Sequence, residues 1–301
     1  MNFSKYSKQI LMTENVAFGI TFNPQHLENE EDVTPCIPYK GRCANSGPIT
    51  PLTLCRLIDD GNSHSMYNNF CQGMELMNEG SKFMSFSTHY LFDWSQLYEV
   101  NKLSYFPYKV LTRLYQVKQP YVRTTQTLIN MLNGKSVVRC FSENILVDVR
   151  TRRQKLLPYW FVDRYTNFKG VVTDIVSAKQ ALTGSWTCPE VPIAPSPFCL
   201  SVTVLENETD LNKFLYKDAF MRYSFECVDF ACRQKRFPYL GETLSELNVS
   251  ELSVCHHGDA RVGDCLTVLC WQREQADALY CVIRKNASII FTCKMTFDLS
   301  S

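Results

Sequence analysis

The stretch ETDLNKFLYKDAFMRYSFECVDFACR, Glu208 to Arg233, decides the fold. Ahead of it, Phe198 to Leu205 carries β-branched residues in an extended pattern; behind it the apolar residues take helical spacing. Over a helix expected from about Ala219 to Gln234, Phe220, Tyr223, Cys227, Phe230 and Ala231 fall on one face. Arg222, Glu226, Asp229 and Arg233 fall on the other, so the helix covers a sheet with one side only. Asp218 precedes Ala219 as an N-cap should. Asp210, eight residues earlier at the end of the strand, keeps two readings: a turn residue or a catalytic carboxylate.

Downstream of Gly241 the period changes to two. Ile289, Phe291, Cys293, Met295 and Phe297 alternate with more polar residues, and Leu244 to Cys255, Cys265 to Gln272 and Ala278 to Arg284 are three further candidate strands. This half therefore reads as strand, helix, then antiparallel meander. Upstream, residues 184–197 hold four prolines in fourteen residues and read as an extended linker. The chain divides into an N-terminal domain (1–183), that linker, and a C-terminal domain (198–301). The first half repeats the element order loosely. A strand is expected at Val16 to Phe22, then a Pro-containing insertion, a helix over Pro48 to Asp59, and strands over Phe83 to Phe92 and Tyr105 to Val149. Two such copies can pair their sheets edge to edge and bury both helices.

Lys and Arg (31) nearly cancel Asp and Glu (30), which argues against a surface built for nucleic acid or an anionic membrane. No stretch reaches the roughly 18 apolar residues of a membrane span, and the first residues lack a signal-peptide apolar run. Most of the fourteen cysteines lie inside apolar strand or helix patterns, so reduced thiols in a cytoplasmic protein are favoured over a secreted disulfide framework. The Asn-x-Ser/Thr sites at Asn207, Asn248 and Asn286 are then chance matches.

A long helix wrapped by an antiparallel sheet is the hotdog arrangement, and Asp210 to Tyr223 resembles the signature of hotdog thioesterases of the 4-hydroxybenzoyl-CoA and acyl-carrier-protein types. There an Asp ends the first strand, a short apolar turn follows, and an aromatic, here Phe220, stands ten residues after the Asp. Gly263-Asp264 is similar to a turn in the same enzymes. Thr151-Arg152-Arg153 with Pro158 downstream is similar to the segment closing the first repeat of double-hotdog acyl-carrier-protein thioesterases. The resemblance implies an α+β double hotdog, each half a long helix wrapped by an antiparallel β-sheet, that hydrolyses acyl-CoA or acyl-carrier-protein thioesters without cofactor or metal. Where the carrier-protein enzymes have a His and an Asn after the Asp, this chain has Phe214 and Tyr216. Imidazole chemistry therefore does not carry over, and the implied mechanism is that of the 4-hydroxybenzoyl-CoA type, which works through the Asp.

On that basis Asp210 is the candidate nucleophile or general base, with backbone N–H groups around Tyr216 to Asp218 polarising the carbonyl. Asn212 and Glu226 are the accompanying candidates, set against a turn former and a solvated surface acid respectively. Phe214, Tyr216 and Phe220 are candidate pocket walls. Arg152 and Arg153 are candidate phosphate contacts, set against a solvated strand end. Cys255-His256-His257-Gly258-Asp259 invites a zinc reading but lacks partners at ligand spacing, and reads as a strand-to-turn junction. A tandem pair of this kind would stand as a monomeric pseudo-dimer or a homodimer. The alternative to an enzyme is a non-catalytic hotdog protein that holds an acyl chain or a protein partner.

Overall fold

The computed structural model of the chain describes residues 31–33, 37–39, 49–67, 70–101, 106–165, 196–237, 249–272 and 277–297. The strand expected at Val16 to Phe22 and the linker at 184–197, apart from Ser196 and Pro197, lie outside these residues. Pro51 opens helix α1 (Pro51–Tyr67) in the position where its missing N–H costs nothing, and Thr50 Oγ1 accepts from the Thr53 N–H at 3.2 Å. The helix runs eight residues past its expected end, through Gly61 and Asn62. Those are weak helix formers, but the strand beneath rewards a helix there: a Cβ on Gly61 would lie 2.5 Å from Val110 Cβ. After α1 come a single 3₁₀ turn, helix α2 (Gly73–Asn78), strand β3 (Ser81–Phe92) and helix α3 (Trp94–Asn101). Strands β4 (Phe106–Lys118), β5 (Tyr121–Asn130), β6 (Ser136–Asp148) and β7 (Gln154–Lys155) follow, then helix α4 (Tyr159–Tyr165). Two short strands, β1 (Glu31–Val33) and β2 (Ile37–Tyr39), precede α1 and both pair with β4.

The second half is β8 (Phe198–Thr203), α5 (Lys217–Arg233), β9 (Val249–His256), β10 (Cys265–Gln272), β11 (Ala278–Lys285) and β12 (Ser288–Phe297). All pairings are antiparallel, and the main path of the sheet is β1-β4-β5-β6-β3-β9-β12-β11-β10-β8. The simple meander is corrected here. The strand after the helix pairs with the last strand of its half, β9 with β12 and β3 with β6, which leaves its other edge free. Those two free edges meet, from Ser87 opposite Cys255 to Leu91 opposite Glu251, and join the halves into one sheet. β1 against β4 repeats the place of β8 against β10.

Helix α5 starts at Lys217, with Tyr216 at its N-cap, so Asp218 sits inside the first turn and not at the cap. Its carboxylate instead faces Arg56 Nε of α1 at 3.2 Å. At 100° per residue the buried residues of α5, from Ala219 round to Phe225, cover an arc of roughly 240°. That width suits a helix touched by the sheet and by α1 together. Phe230 falls near one edge of that arc, between Ala219 and Tyr223 on the wheel but in the last turn of the helix, and is 47% exposed, which corrects its expected place in the core. One apolar core runs across the seam, joining Leu54, Ile58 and Tyr90 of the first half to Phe220, Val228 and Phe291 of the second. A smaller one, around Phe70, Leu76, Leu146 and Phe161, lies under α2 and α4. Trp94 donates from Nε1 to the Val249 carbonyl at 2.8 Å, a further tie across the seam. Among the described residues no helix is long and apolar enough to cross a membrane.

Gly61 gives a direct test of the helix-to-sheet distance. Helix propensity alone makes Gly61→Ala stabilising by about 1 kcal/mol. Overpacking against Val110 predicts destabilisation of about 1–3 kcal/mol, partly relieved by Val110→Ala in the double variant, as read by urea denaturation.

Candidate functional site

Asp210 lies in a loop folded tightly on itself between β8 and α5. Its backbone N–H donates to the Phe214 carbonyl at 2.8 Å and its carbonyl accepts from Lys213, whose φ is 63°. Asp210 Oδ1 accepts from the N–H groups of Asn212 (2.9 Å) and Phe214 (3.1 Å), an Asx-type turn. With Oδ1 so held, Oδ2 is turned toward the first half, where Arg152 Nη2 lies at 2.5 Å and Lys82 Nζ at 3.9 Å. The turn reading of Asp210 is thus realised, and the turn is also what aims the second oxygen.

Burial alone would raise the Asp210 carboxyl, but the hydrogen bonds from Arg152 and the Phe214 N–H, with the Arg152 charge, outweigh it and hold the group below its ordinary value. Lys82 is lowered by burial and by Arg152, with Asp210 and Asp259 opposing. Asp259 is raised, first by burial; Arg152 offsets part of that and Asp210 adds to it. Arg152 also donates from Nη1 to Met84 Sδ at 3.3 Å. Its guanidinium lies 5.1 Å from the Phe214 ring centroid, and that of Arg261 lies 4.4 Å from the same centroid.

This cluster opens onto a cavity of about 480 Å³ between the halves, a size suited to a small ligand. Lys82, Phe83 and Met84 of β3, Arg152 and Asp210 line one side, and Tyr216, Lys217 and Asp218 bring the first turn of α5 to it. On α1, Asp59 accepts from Lys217 Nζ at 3.2 Å, beside the Arg56–Asp218 pair. The two long helices therefore exchange charges in both directions. Behind this layer His256 is buried, edge-on to Phe220 and Phe291, and burial, then Lys217, holds it well below its ordinary value as a neutral imidazole. His257 faces the other side of the strand, 3.0 Å from Thr292 Oγ1, so the two histidines do not converge.

Of the sequence candidates, the structure brings Asp210, Tyr216 and Arg152 to the cavity. Asn212 stands one step away, its Nδ2 donating to the Val149 carbonyl at 3.3 Å across the halves. Phe214 is buried between the two guanidinium groups, and Phe220 is in the core under His256. Glu226 is not among the cavity residues; it pairs with Arg222 at 3.1 Å on the outer face of α5. Arg153 is exposed in the hairpin after β6 and does not reach the cavity. Lys82, Asp59, Arg56 and Lys217 were not candidates in the sequence, since each gains its significance from a partner more than fifty residues away.

No protein-family model and no curated protein matches the sequence. Solved structures do match its fold. An acyl-ACP thioesterase from Bacteroides thetaiotaomicron superposes with a TM-score of 0.62 and 12% identity, covering 92% of this chain and 100% of its own. The 12:0-ACP thioesterase from Umbellularia californica gives a TM-score of 0.63 and 13% identity, covering 90% and 98%. The fold is a double hotdog. In that frame Asp210 belongs to the second hotdog and Arg152 to the first, so the candidate site of the double hotdog is composite. At these identities the likeness is one of backbone arrangement.

The lowered Asp210 carboxyl has a defined signature. A group depressed in the folded state adds stability above its unfolded value, ordinarily 3.8, and loses it as the pH falls through the folded value. The thermal-stability advantage of wild type over Asp210→Asn should therefore shrink as the pH drops below that point. Arg152→Ala should cost about 1.5–3 kcal/mol at neutral pH through loss of the charged hydrogen bond.

Proposed function

We propose that this double hotdog hydrolyses acyl thioesters, acyl-CoA or acyl-ACP, in the cavity between its two long helices. The observation that carries the reading is the position of Asp210: an ionised carboxylate on the wall of a cavity that the first turn of α5 also lines, in a chain 92% of which superposes on the fold of an acyl-ACP thioesterase. Thioester hydrolysis needs an attacking oxygen and donors for the charge that develops on the carbonyl. Asp210 Oδ2 fills the first role, either by attacking the carbonyl carbon directly or by taking a proton from the attacking water. The unsatisfied N–H groups and partial positive charge at the start of α5 fill the second, a contribution of about 3 kcal/mol for one such donor. Arg152 keeps the carboxylate ionised, and the thiolate leaves toward the Lys82 and Arg152 cations. Asn212 and the buried Phe214 hold the Asp210 loop in place. Tyr216 walls the cavity at the N-cap of α5.

A second reading is favoured by one observation. Both oxygens of Asp210 are occupied, Oδ1 by two backbone donors and Oδ2 by Arg152, as in a strut tying the halves together. On that reading the chain holds an acyl group without cleaving it.

Release of free thiol separates the two. Wild type should turn over short, medium or long acyl-CoA or acyl-ACP, and Asp210→Asn and Asp210→Ala should each lose a hundredfold or more in kcat with the circular dichroism spectrum unchanged. Failure of wild type on both carriers, with both variants merely melting earlier, would establish the strut and discard the hydrolase.

A further inference from the structure

Beneath Asn62 and Ser85, which line the cavity, lies a buried layer of neutral polar side chains that do not themselves reach its surface. On β5, residues 122 to 130 alternate inward in period two, and three of those five inward positions are Thr124, Gln126 and Asn130, each 2% exposed or less. Ser142 and Asn144 of β6 join them beneath α1, at 4% and 3%. All but Asn130, whose Oδ1 accepts from the Leu132 N–H, are chained together. Asn144 Nδ2 donates to Thr124 Oγ1 (3.0 Å), as does Gln126 Nε2 (2.8 Å), and Ser142 Oγ donates to Gln126 Oε1 (3.3 Å). Two links carry the chain to the cavity surface: Ser85 Oγ donates to Asn144 Oδ1 (2.9 Å), and Gln126 Nε2 reaches Asn62 Oδ1 (3.4 Å). Both Asn62 and Ser85 line the cavity.

The second half shows that the fold itself does not ask for this. Its topologically equivalent strands, β11 and β12, send Leu279, Cys281, Ile283, Phe291, Cys293 and Met295 into the core. Burying hydroxyls and amides where the other copy buries aliphatic groups costs stability unless every group is paired, and gains nothing for packing. A reason lies in what occupies the space. Asn62 Nδ2 has no protein partner among the described residues, and Ser85, having donated its one hydrogen, keeps free lone pairs. Asn62 and Ser85 therefore present a donor and acceptors on the wall of one cavity, the complement of a hydroxyl group. Beside them, the Arg56–Asp218, Lys217–Asp59 and Arg152–Asp210 pairs would lose water to a long methylene chain with nothing in return. Met66, Leu76, Met77, Phe83 and Met84 supply the apolar part of the lining.

Resting on the hydrolase reading above, we infer that the acyl group this cavity accepts carries a hydroxyl beyond the thioester carbonyl, bound by Asn62 and Ser85. The test compares thiol release from 3-hydroxyhexanoyl-CoA, hexanoyl-CoA and dodecanoyl-CoA by the full chain. The hydroxylated substrate should lead both hexanoyl and dodecanoyl by at least about tenfold in kcat/KM, because a site built to hydrogen-bond a hydroxyl penalises its absence. Ser85→Ala, and independently Asn62→Leu, should erase that preference while hexanoyl turnover persists; two positions guard against one variant misfolding. Equal or better use of either saturated substrate by wild type overturns the inference and leaves the hydrolase standing. If no thioester is cleaved, the hydrolase reading falls alone, and calorimetry with non-hydrolysable thioether analogues decides the rest. Tenfold tighter binding of the hydroxylated analogue sustains the inference, and equal or absent binding ends it.

Discussion

Arg152 stands in the hairpin after β6 with φ at 58°, a left-handed conformation that costs a long side chain about 1–3 kcal/mol. Glycine or asparagine would sit there more easily. What the arginine gains is reach. From that backbone position its guanidinium crosses the seam between the two hotdogs, binds Asp210 Oδ2 and covers Phe214. Asn212 repeats the crossing in the opposite direction, from the Asp210 loop to the Val149 carbonyl. The loop that opens the second long helix is thus set by the first hotdog, and the rest of the site depends on that tie.

A second constraint works from the other side of the same loop. Glu208 accepts from Tyr223 Oη at 2.6 Å, from the Leu205 N–H at 2.8 Å and from the Arg222 guanidinium, while its carbonyl accepts from the Tyr216 N–H. The Leu215 N–H donates to the Ala260 carbonyl, tying the loop to the turn after β9. Asp210 is consequently fixed from three directions, a preorganisation that favours a precise electrostatic role over a mobile one. The charges exchanged between α1 and α5 extend the same logic: each helix supplies one acid and one base to the other, so the helices are held in register where the cavity forms. The halves share a topology but not a lining: the layer under α5 is apolar, while under α1 hydroxyls and amides stand among the apolar residues.

Much of this was legible along the chain. The 3.6-residue spacing after Lys217 and the alternation from Ile289 to Phe297 each report a local geometry, since side chains one turn or two residues apart share a face whatever else the fold does. Asp210 stood out because a carboxylate at a strand end is a local event. The limits of that reading are also particular. Asp218 has the credentials of an N-cap, yet its partner is Arg56 on another helix. α1 outruns its weak formers because Gly61 allows close approach to Val110. β9 chooses β12 over its neighbour in sequence, and no local pattern encodes that choice.

The sequence by itself determined the two long helices, most of the strands, the repeat of element order, and the residue around which a site would form. Those follow from periodicity and from the conformational preferences of single residues. Only the tertiary structure decided that the β3 and β9 edges would join, that Arg152 would meet Asp210, and that Asn62, Ser85 and Gln126 would share one hydrogen-bonded network. Their positions are separated by tens of residues, and hydrogen bonds and ion pairs act over a few ångströms. Such contacts exist only once the sheet has closed the distance.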